Sequence, residues 1–332
     1  MKIAIFDVEI QELQKFSDKL STHTIKTFGK NIADVDLSEY ADSQVISVFV
    51  HSNITRDMIQ KMPDLKFIAT RSTGFEHIDL EACKERSIKV SNVPFYGENT
   101  VAEHTFALIL CLSRNIHKTY VRTINNNFSL TNLQGFDLKG KTLGVIGAGK
   151  IGLHVIRMAK GFGMEVLAFD VIKNSFMAEI LGFEYADIEY ILRNSDVISL
   201  HAPLNKSTYH LINKNNINII KKGAVIVNTS RGGLIEAEAL LEALDNGIIA
   251  GAGLDVFEGE EYLFEEGCKL REDYSDDVKK LVSQNCSLLH RENVVITPHN
   301  AFNSLEAVDR IFNTTIDNIN KFVSGTPINT IN

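Results

Sequence analysis

An α/β fold with two doubly wound parallel sheets follows from the rhythm of this 332-residue sequence. Short apolar runs alternate with amphipathic stretches of helical period from end to end, the pattern of strand–helix–strand units that builds parallel sheets. The runs form two series. Residues 2–6, 45–50, 66–70 and 88–90 belong to the first, and 142–146, 166–170, 196–200, 224–228, 250–256 and 294–297 to the second. The gap between the series, with a helical stretch after the last strand, predicts one domain from residues 1–99 plus 300–332 and another from 100–299.

The chain opens on Met1-Lys2-Ile3-Ala4-Ile5-Phe6-Asp7, which reads as a strand and lacks the extended apolar core of a signal peptide. Between the two series stands Thr100-Val101-Ala102-Glu103, spelled like a capping box, in which threonine and glutamate satisfy each other's orphan backbone donors. It predicts a helix from Val101 to about Arg114. Phe106, Ala107, Leu108, Ile109, Leu110 and Leu112 make that helix apolar nearly all round, so burial is expected on several sides, between domains or against a second subunit. A last helix, from Ser304 to about Val323, is expected to pack back on the first domain. The chain then crosses twice between domains, and an active-site cleft is expected at the crossing.

The second series begins with Val145-Ile146-Gly147-Ala148-Gly149-Lys150-Ile151-Gly152, followed by a second strand ending at Asp170. Gly147 permits a tight turn and Gly149 lets backbone approach a pyrophosphate. Gly152 lets the new helix pack closely, with its free N–H groups facing the phosphate charge. Asp170, 18 positions after Gly152, stands where an acid binds the adenosine ribose hydroxyls. Strand, glycine turn, helix and acid in register predict a Rossmann-like dinucleotide site. A carboxylate at 170 repels a 2′-phosphate and favours NAD over NADP, with Lys173 read as a solvated lysine.

In an open parallel sheet, ligands sit beyond the carboxyl ends of the strands. Strand 224–228 is followed by Thr229-Ser230-Arg231-Gly232-Gly233, strand 250–256 by Glu258-Gly259-Glu260, and strand 294–297 by Pro298-His299. Taken singly, Arg231 reads as a solvated arginine, Glu260 as one charge in an acidic loop and His299 as a structural histidine. Together they make the set that hydride transfer to a 2-keto acid needs. A guanidinium fork grips the carboxylate, a histidine gives and takes the proton, and a carboxylate beside it raises its pKa. His201, which ends strand 196–200, is the rival donor; His104, on the apolar helix, reads as an interface hydrogen bonder.

Composition excludes other classes. A net charge of −8 without a basic cluster argues against nucleic acid and anionic membranes as partners. No apolar run approaches the roughly 20 residues of a membrane span. Cys83, Cys111, Cys268 and Cys286 are scattered, with no CxxC pair and no zinc spacing, so free thiols, a cytoplasmic setting and no metal site are expected.

The chain resembles the NAD-dependent D-isomer-specific 2-hydroxyacid dehydrogenases, within them the lactate-type branch. Beside the glycine loop, the resemblance rests on Arg71-Ser72-Thr73-Gly74-Phe75-Glu76-His77-Ile78-Asp79, Asn92-Val93-Pro94-Phe95-Tyr96, Val101-Ala102-Glu103-His104-Thr105, Asn228-Thr229-Ser230-Arg231-Gly232, Leu254-Asp255-Val256-Phe257-Glu258 and Thr297-Pro298-His299-Asn300-Ala301-Phe302. It implies that Arg231 binds the substrate carboxylate and carbonyl and that Glu260 pairs with His299 as acid/base. It further implies that N–H groups of Thr73 and Gly74 hold the carboxylate and that Tyr96 and Phe302 line the substrate pocket. For NAD it points to Gly147, Gly149, Ile151, Gly152, Asp170, Pro203, Thr208, Thr229, Ser230, Arg231 and Asp255. Domain closure bringing Thr73 and Gly74 against Arg231, and a homodimer on the nucleotide-binding domain, are also implied.

The 38 residues between Glu260 and His299 match the longer stretch of the lactate-type branch and point to pyruvate or another small uncharged 2-keto acid. The alternatives are another D-2-hydroxyacid, of the 2-hydroxyisocaproate or glycerate type, and a non-catalytic NAD-sensing protein on the same scaffold.

Overall fold

Twelve strands among the described residues pair in parallel, in two separate sheets. The computed structural model describes residues 1–8 and 10–332, with side chains for all of these save residues 10, 11 and 264–266. One unit comprises Met1–Tyr96 and Ser304–Asn332, the other Gly97–Asn303.

In the first unit, β1 (Lys2–Ile5), β2 (Thr24–Thr27), β3 (Val45–Val48), β4 (Phe67–Thr70) and β5 (Lys89–Ser91) lie in the order β2-β1-β3-β4-β5. The central strands β3 and β4 are buried along their whole length, because helices cover both faces and both sets of side chains must be apolar. The Leu305–Val323 helix belongs to this unit. Ser304 caps it by accepting the Ala307 N–H, and its Phe312, Ile316 and Ile319 pack with Phe16 and Phe67. Edge strand β2, with alternating half-exposed residues, carries no continuous apolar run, which is why it is absent from the sequence-based series.

The second unit holds β6 (Thr142–Ile146), β7 (Glu165–Phe169), β8 (Glu184–Tyr185), β9 (Val197–Leu200), β10 (Ala224–Asn228), β11 (Ile249–Leu254) and β12 (Val294–Ile296). Their order is β12-β11-β10-β9-β6-β7-β8, so the winding reverses between β6 and β9. Fully buried Val197, Ile198, Leu200 and Val227 each contribute about 1.5–3 kcal/mol.

The register fixes the edge that matters. Ile146 faces Leu200, Leu200 faces Asn228, Asn228 faces Leu254, and Leu254 faces Ile296. The next residue of each strand therefore falls in one row: Gly147, His201, Thr229, Asp255 and Thr297.

Two expectations need correction. The Thr100–Glu103 capping box does not form: the helix is Glu98–Ser113, Gly97 is its N-cap, and Thr100 is buried inside it. Glu103 accepts a hydrogen bond from the Asn99 side chain instead. The helix is buried on several sides, packing on the helix Lys150–Gly161 and on β10, β11 and β12 of its own unit. The uncovered apolar face belongs to the next helix, Ile116–Ile124, where Ile116, Tyr120, Val121 and Ile124 are exposed, as are Phe128 and Leu130 beyond it. Finally, Cys83 and Cys111 are free thiols, but Cys268 and Cys286 form a disulfide with Cα atoms 5.8 Å apart. Folding brings together residues 18 apart in sequence, and no spacing rule reveals it. The cysteine pattern therefore carries no argument for a reducing compartment. No helix among the described residues is long and apolar enough to cross a membrane, and none of their His, Cys, Asp and Glu groups could hold a metal ion.

Candidate active site

The glycine loop leaves β6 at the reversal point, and each glycine has its own reason. Gly147 has φ of +101°, and a Cβ there would lie 2.5 Å from the His201 carbonyl carbon. At Gly152 a Cβ would lie 2.0 Å from the Gly147 oxygen, so only hydrogen permits the helix to pack this closely. Gly149 differs: a Cβ would meet no protein atom within 4 Å. Gly149 is also the N-cap of the helix Lys150–Gly161 and offers no side-chain acceptor to its first N–H groups. Open space beside the positively polarised N-terminus of a helix can hold a pyrophosphate.

Asp170, just past β7, accepts hydrogen bonds from the Ala148 N–H at 2.8 Å and the Ile172 N–H at 3.0 Å. It is thereby clamped to the glycine turn. Lys173 lies 6.0 Å over the Tyr185 ring. Ile151 is half-buried. The loop after β9 is closed by Thr208, whose hydroxyl donates to the Pro203 oxygen at 2.6 Å and accepts the Asn205 N–H at 2.8 Å.

Past β10, Asn228 organises the arginine loop. Its amide donates to the Arg231 oxygen at 2.9 Å and its carbonyl accepts the Ser230 N–H at 3.1 Å. Thr229 shares a 2.8 Å hydrogen bond with Thr105, and Ser230 donates to the Ala202 oxygen at 2.6 Å. The Arg231 guanidinium donates to the Ser230 oxygen at 2.8 Å. Gly232 is demanded by contact, since a Cβ there would lie 2.2 Å from the Phe257 carbonyl.

Asp255, 1% exposed, ties the histidine loop down. It accepts hydrogen bonds from the Thr297 hydroxyl, the Asn300 N–H at 2.7 Å and the Ala301 N–H at 2.9 Å. His104 Nε2 lies 3.4 Å from the same carboxylate and 3.0 Å from the Thr297 hydroxyl. Burial works to raise the Asp255 pKa, but these donors, His104 and Thr297 foremost, hold it below the usual carboxylate value. Asn228 and Thr297 stand in the quoted motifs without a role read for them, and His104, read as an interface hydrogen bonder, bonds within its own unit; all three organise the strand-end loops.

His299 has φ of 51°, a left-handed conformation that costs an L residue about 1–2 kcal/mol. Its N–H, 2.9 Å from the oxygens of both Asp255 and Thr297, keeps it there. The ring's Nδ1 lies 2.7 Å from Glu260 Oε1, and Glu260 Oε2 accepts the Phe257 N–H at 3.1 Å. Desolvation pulls the His299 pKa down, yet the hydrogen bond and charge of Glu260, with the charge of Asp255, outweigh it and raise the pKa above the ordinary value. Glu258 is engaged elsewhere, by His210 at 2.7 Å and Tyr209 at 2.9 Å. His201 is a poor rival: burial pushes its pKa down to about 3, and Nε2 is 2.8 Å from Ser199 Oγ.

Phe302, half-buried, follows this loop in the second unit. Thr73, Gly74 and Tyr96 belong to the first. There the Ser72-Thr73-Gly74 turn lies beyond β4, with Thr73 exposed, and the Tyr96 oxygen accepts from Arg310.

A doubly wound parallel sheet thus carries a histidine–glutamate pair just beyond the carboxyl ends of its strands. Residues 106–301 match the family described as "D-isomer specific 2-hydroxyacid dehydrogenase, NAD binding domain". A D-lactate dehydrogenase from Escherichia coli is 43% identical over 285 residues, covering 85% of this chain and 84% of its own. An aromatic 2-oxoacid reductase from Clostridium sporogenes is 39% identical over 332 residues, covering 97% and 96%. The crystal structure of D-lactate dehydrogenase from Aquifex aeolicus complexed with NAD and lactic acid superposes with a TM-score of 0.86 at 36% identity, covering 98% of this chain and 96% of that one. The chain belongs to the D-isomer-specific 2-hydroxyacid dehydrogenase family, and it is an NAD-dependent oxidoreductase.

Proposed function

We propose that the enzyme reduces pyruvate to D-lactate, with His299 as acid/base. The observation that carries this is the 2.7 Å pair of His299 Nδ1 and Glu260 Oε1, in the loops that follow the strand-end row beginning at Gly147. NADH, when bound, supplies the hydride. Gly147, Gly149, Ile151 and Gly152 hold its pyrophosphate and Asp170 its ribose hydroxyls. Pro203, Thr208, Thr229, Ser230 and Asp255 complete the cofactor side.

With Nδ1 engaged by Glu260, the proton His299 gives to the nascent alkoxide is the one on Nε2. Glu260 favours the imidazolium, so the ring is loaded for reduction at neutral pH. Arg231 grips the carboxylate and polarises the carbonyl with its planar fork. The family resemblance assigns the N–H groups of Thr73 and Gly74 to the substrate carboxylate, and Tyr96 and Phe302, neither charged, suit a small uncharged keto acid.

The decisive assay is NADH oxidation over pyruvate, phenylpyruvate, 2-ketoisocaproate, oxaloacetate and hydroxypyruvate, with product chirality determined. Highest kcat/KM on pyruvate, giving D-lactate, supports the reading. Preference for phenylpyruvate would move the chain beside its Clostridium relative, and NADH binding without turnover would make it a sensor.

The enzyme acts as a homodimer, a second copy covering the apolar face of the helix Ile116–Ile124 and the Phe128 and Leu130 beyond it. A set of exposed large apolar side chains this dense suits an interface better than a solvated surface. Light scattering on Ile124→Glu checks it, a shift to monomer being the expected result.

A further inference from the structure

We propose that Asn92 is a positioning residue that fixes the peptide between Thr73 and Gly74 with its N–H outward, toward the substrate carboxylate. The inference rests on the reading that this turn binds the carboxylate.

A trans peptide unit is planar, so its carbonyl and N–H point in opposite directions. Binding the carbonyl of one residue therefore aims the N–H of the next. In the Ser72–Gly74 turn both relevant carbonyls are held from one dipeptide. The Val93 N–H donates to the Ser72 oxygen at 3.0 Å, which turns the Thr73 N–H outward. The Asn92 amide donates to the Thr73 oxygen at 2.7 Å, which turns the Gly74 N–H outward. The Gly74 oxygen is taken by the Ser72 hydroxyl at 2.6 Å, and the Thr73 hydroxyl donates to the Val93 oxygen at 2.7 Å. Among the described residues neither the Thr73 nor the Gly74 N–H has a protein acceptor. Two adjacent N–H groups remain without a protein acceptor among the described residues, a pair that the two oxygens of a carboxylate can take up.

Asn92 is itself immobilised. It is 7% exposed. Its oxygen accepts from the Asn318 amide at 2.9 Å, and its N–H donates to the Asn329 oxygen at 3.2 Å. The Asn329 amide donates to Asn318 Oδ1 at 2.8 Å, closing a chain of three asparagines. The other hydrogen bonds of the turn hold its neighbouring groups, and Gly74 has no Cβ to resist rotation of the 73–74 peptide itself. A flip would present a carbonyl oxygen to the carboxylate and repel it. Asn92 removes that alternative before substrate arrives.

The test is steady-state kinetics at saturating NADH with pyruvate as substrate and oxamate as a carboxylate-bearing inhibitor. Asn92→Asp keeps the shape and replaces the donor with an oxygen facing the Thr73 oxygen. It should raise the KM for pyruvate and the Ki for oxamate by about tenfold, the scale of one lost hydrogen bond, with kcat and NADH affinity within about twofold. If Asn92→Asp does not fold, Asn329→Ala serves, with about a threefold rise in both constants expected from loosening the chain one step back. Losses shared equally by kcat, NADH affinity and Tm overturn the proposal in favour of a merely structural asparagine. Gly74→Pro deletes the N–H itself and separates the two failures. If it leaves KM and Ki unchanged, the carboxylate reading falls; if it raises both while Asn92→Asp raises neither, only the role of Asn92 falls.

Discussion

His299 Nδ1 and Glu260 Oε1 stand 2.7 Å apart although they lie 39 positions apart in sequence. Glu260 opens the helix Glu260–Glu266 after a left-handed Gly259, and His299 sits in a left-handed turn anchored by Asp255. A glycine turn at Gly259 and a left-handed turn at His299 together bring one carboxylate to one ring.

Replacing His299 by Gln removes the proton on Nε2 and keeps the ring's bulk and polarity in part. The kcat for pyruvate reduction should drop by about a hundredfold or more, the scale of a lost general acid, while NADH affinity stays near that of the parent. Stopped-flow single turnovers measure both. Near-normal turnover would rule the residue out as the acid.

Arg231→Lys exchanges a planar fork for a point charge. The expected result is a fall in kcat/KM for pyruvate of about tenfold to a hundredfold, the worth of a charge-assisted hydrogen bond. Unchanged kcat/KM would mean that the carboxylate is gripped elsewhere.

The glycines at 149 and 152 should separate cofactor binding from folding. Gly149→Ala meets no protein atom, so Tm should hold while NADH affinity, read by fluorescence titration, weakens. Gly152→Ala places a methyl 2.0 Å from the Gly147 oxygen and should cost about 1–3 kcal/mol of stability as overpacking. The reverse pattern would contradict the assignment of the cradle.

Much of this was legible in the sequence, and the reasons differ by residue. Gly147, Gly152 and Asp170 could be placed because the turn, the close packing and the acid are steric and electrostatic necessities in consecutive residues. The strand ends that carry Arg231 and His299 were visible because buried parallel strands are unbroken apolar runs. The partner of His299 was not readable from residues alone. Glu258 and Glu260 look equivalent, and only the fold commits Glu258 to His210 and Tyr209. Asn92 was silent for the same reason: its contacts lie 19 residues away at Thr73 and 226 away at Asn318. The Thr100 capping box misled because tertiary packing lets the helix begin at Glu98, so a local spelling for a start became an interior turn. The apolar helix that it belongs to packs on the strands of its own unit.

The most direct measurement is the pH dependence of kcat/KM for pyruvate in the parent enzyme and in Glu260→Gln. The His299 pKa is raised by Glu260, and reduction needs the protonated ring. Activity is therefore retained below the raised pKa and lost as pH climbs through it. Removing the charge of Glu260 leaves desolvation to dominate, so the alkaline limb should move to lower pH. A limb that stays where it is in the variant would contradict the pairing on which this account rests.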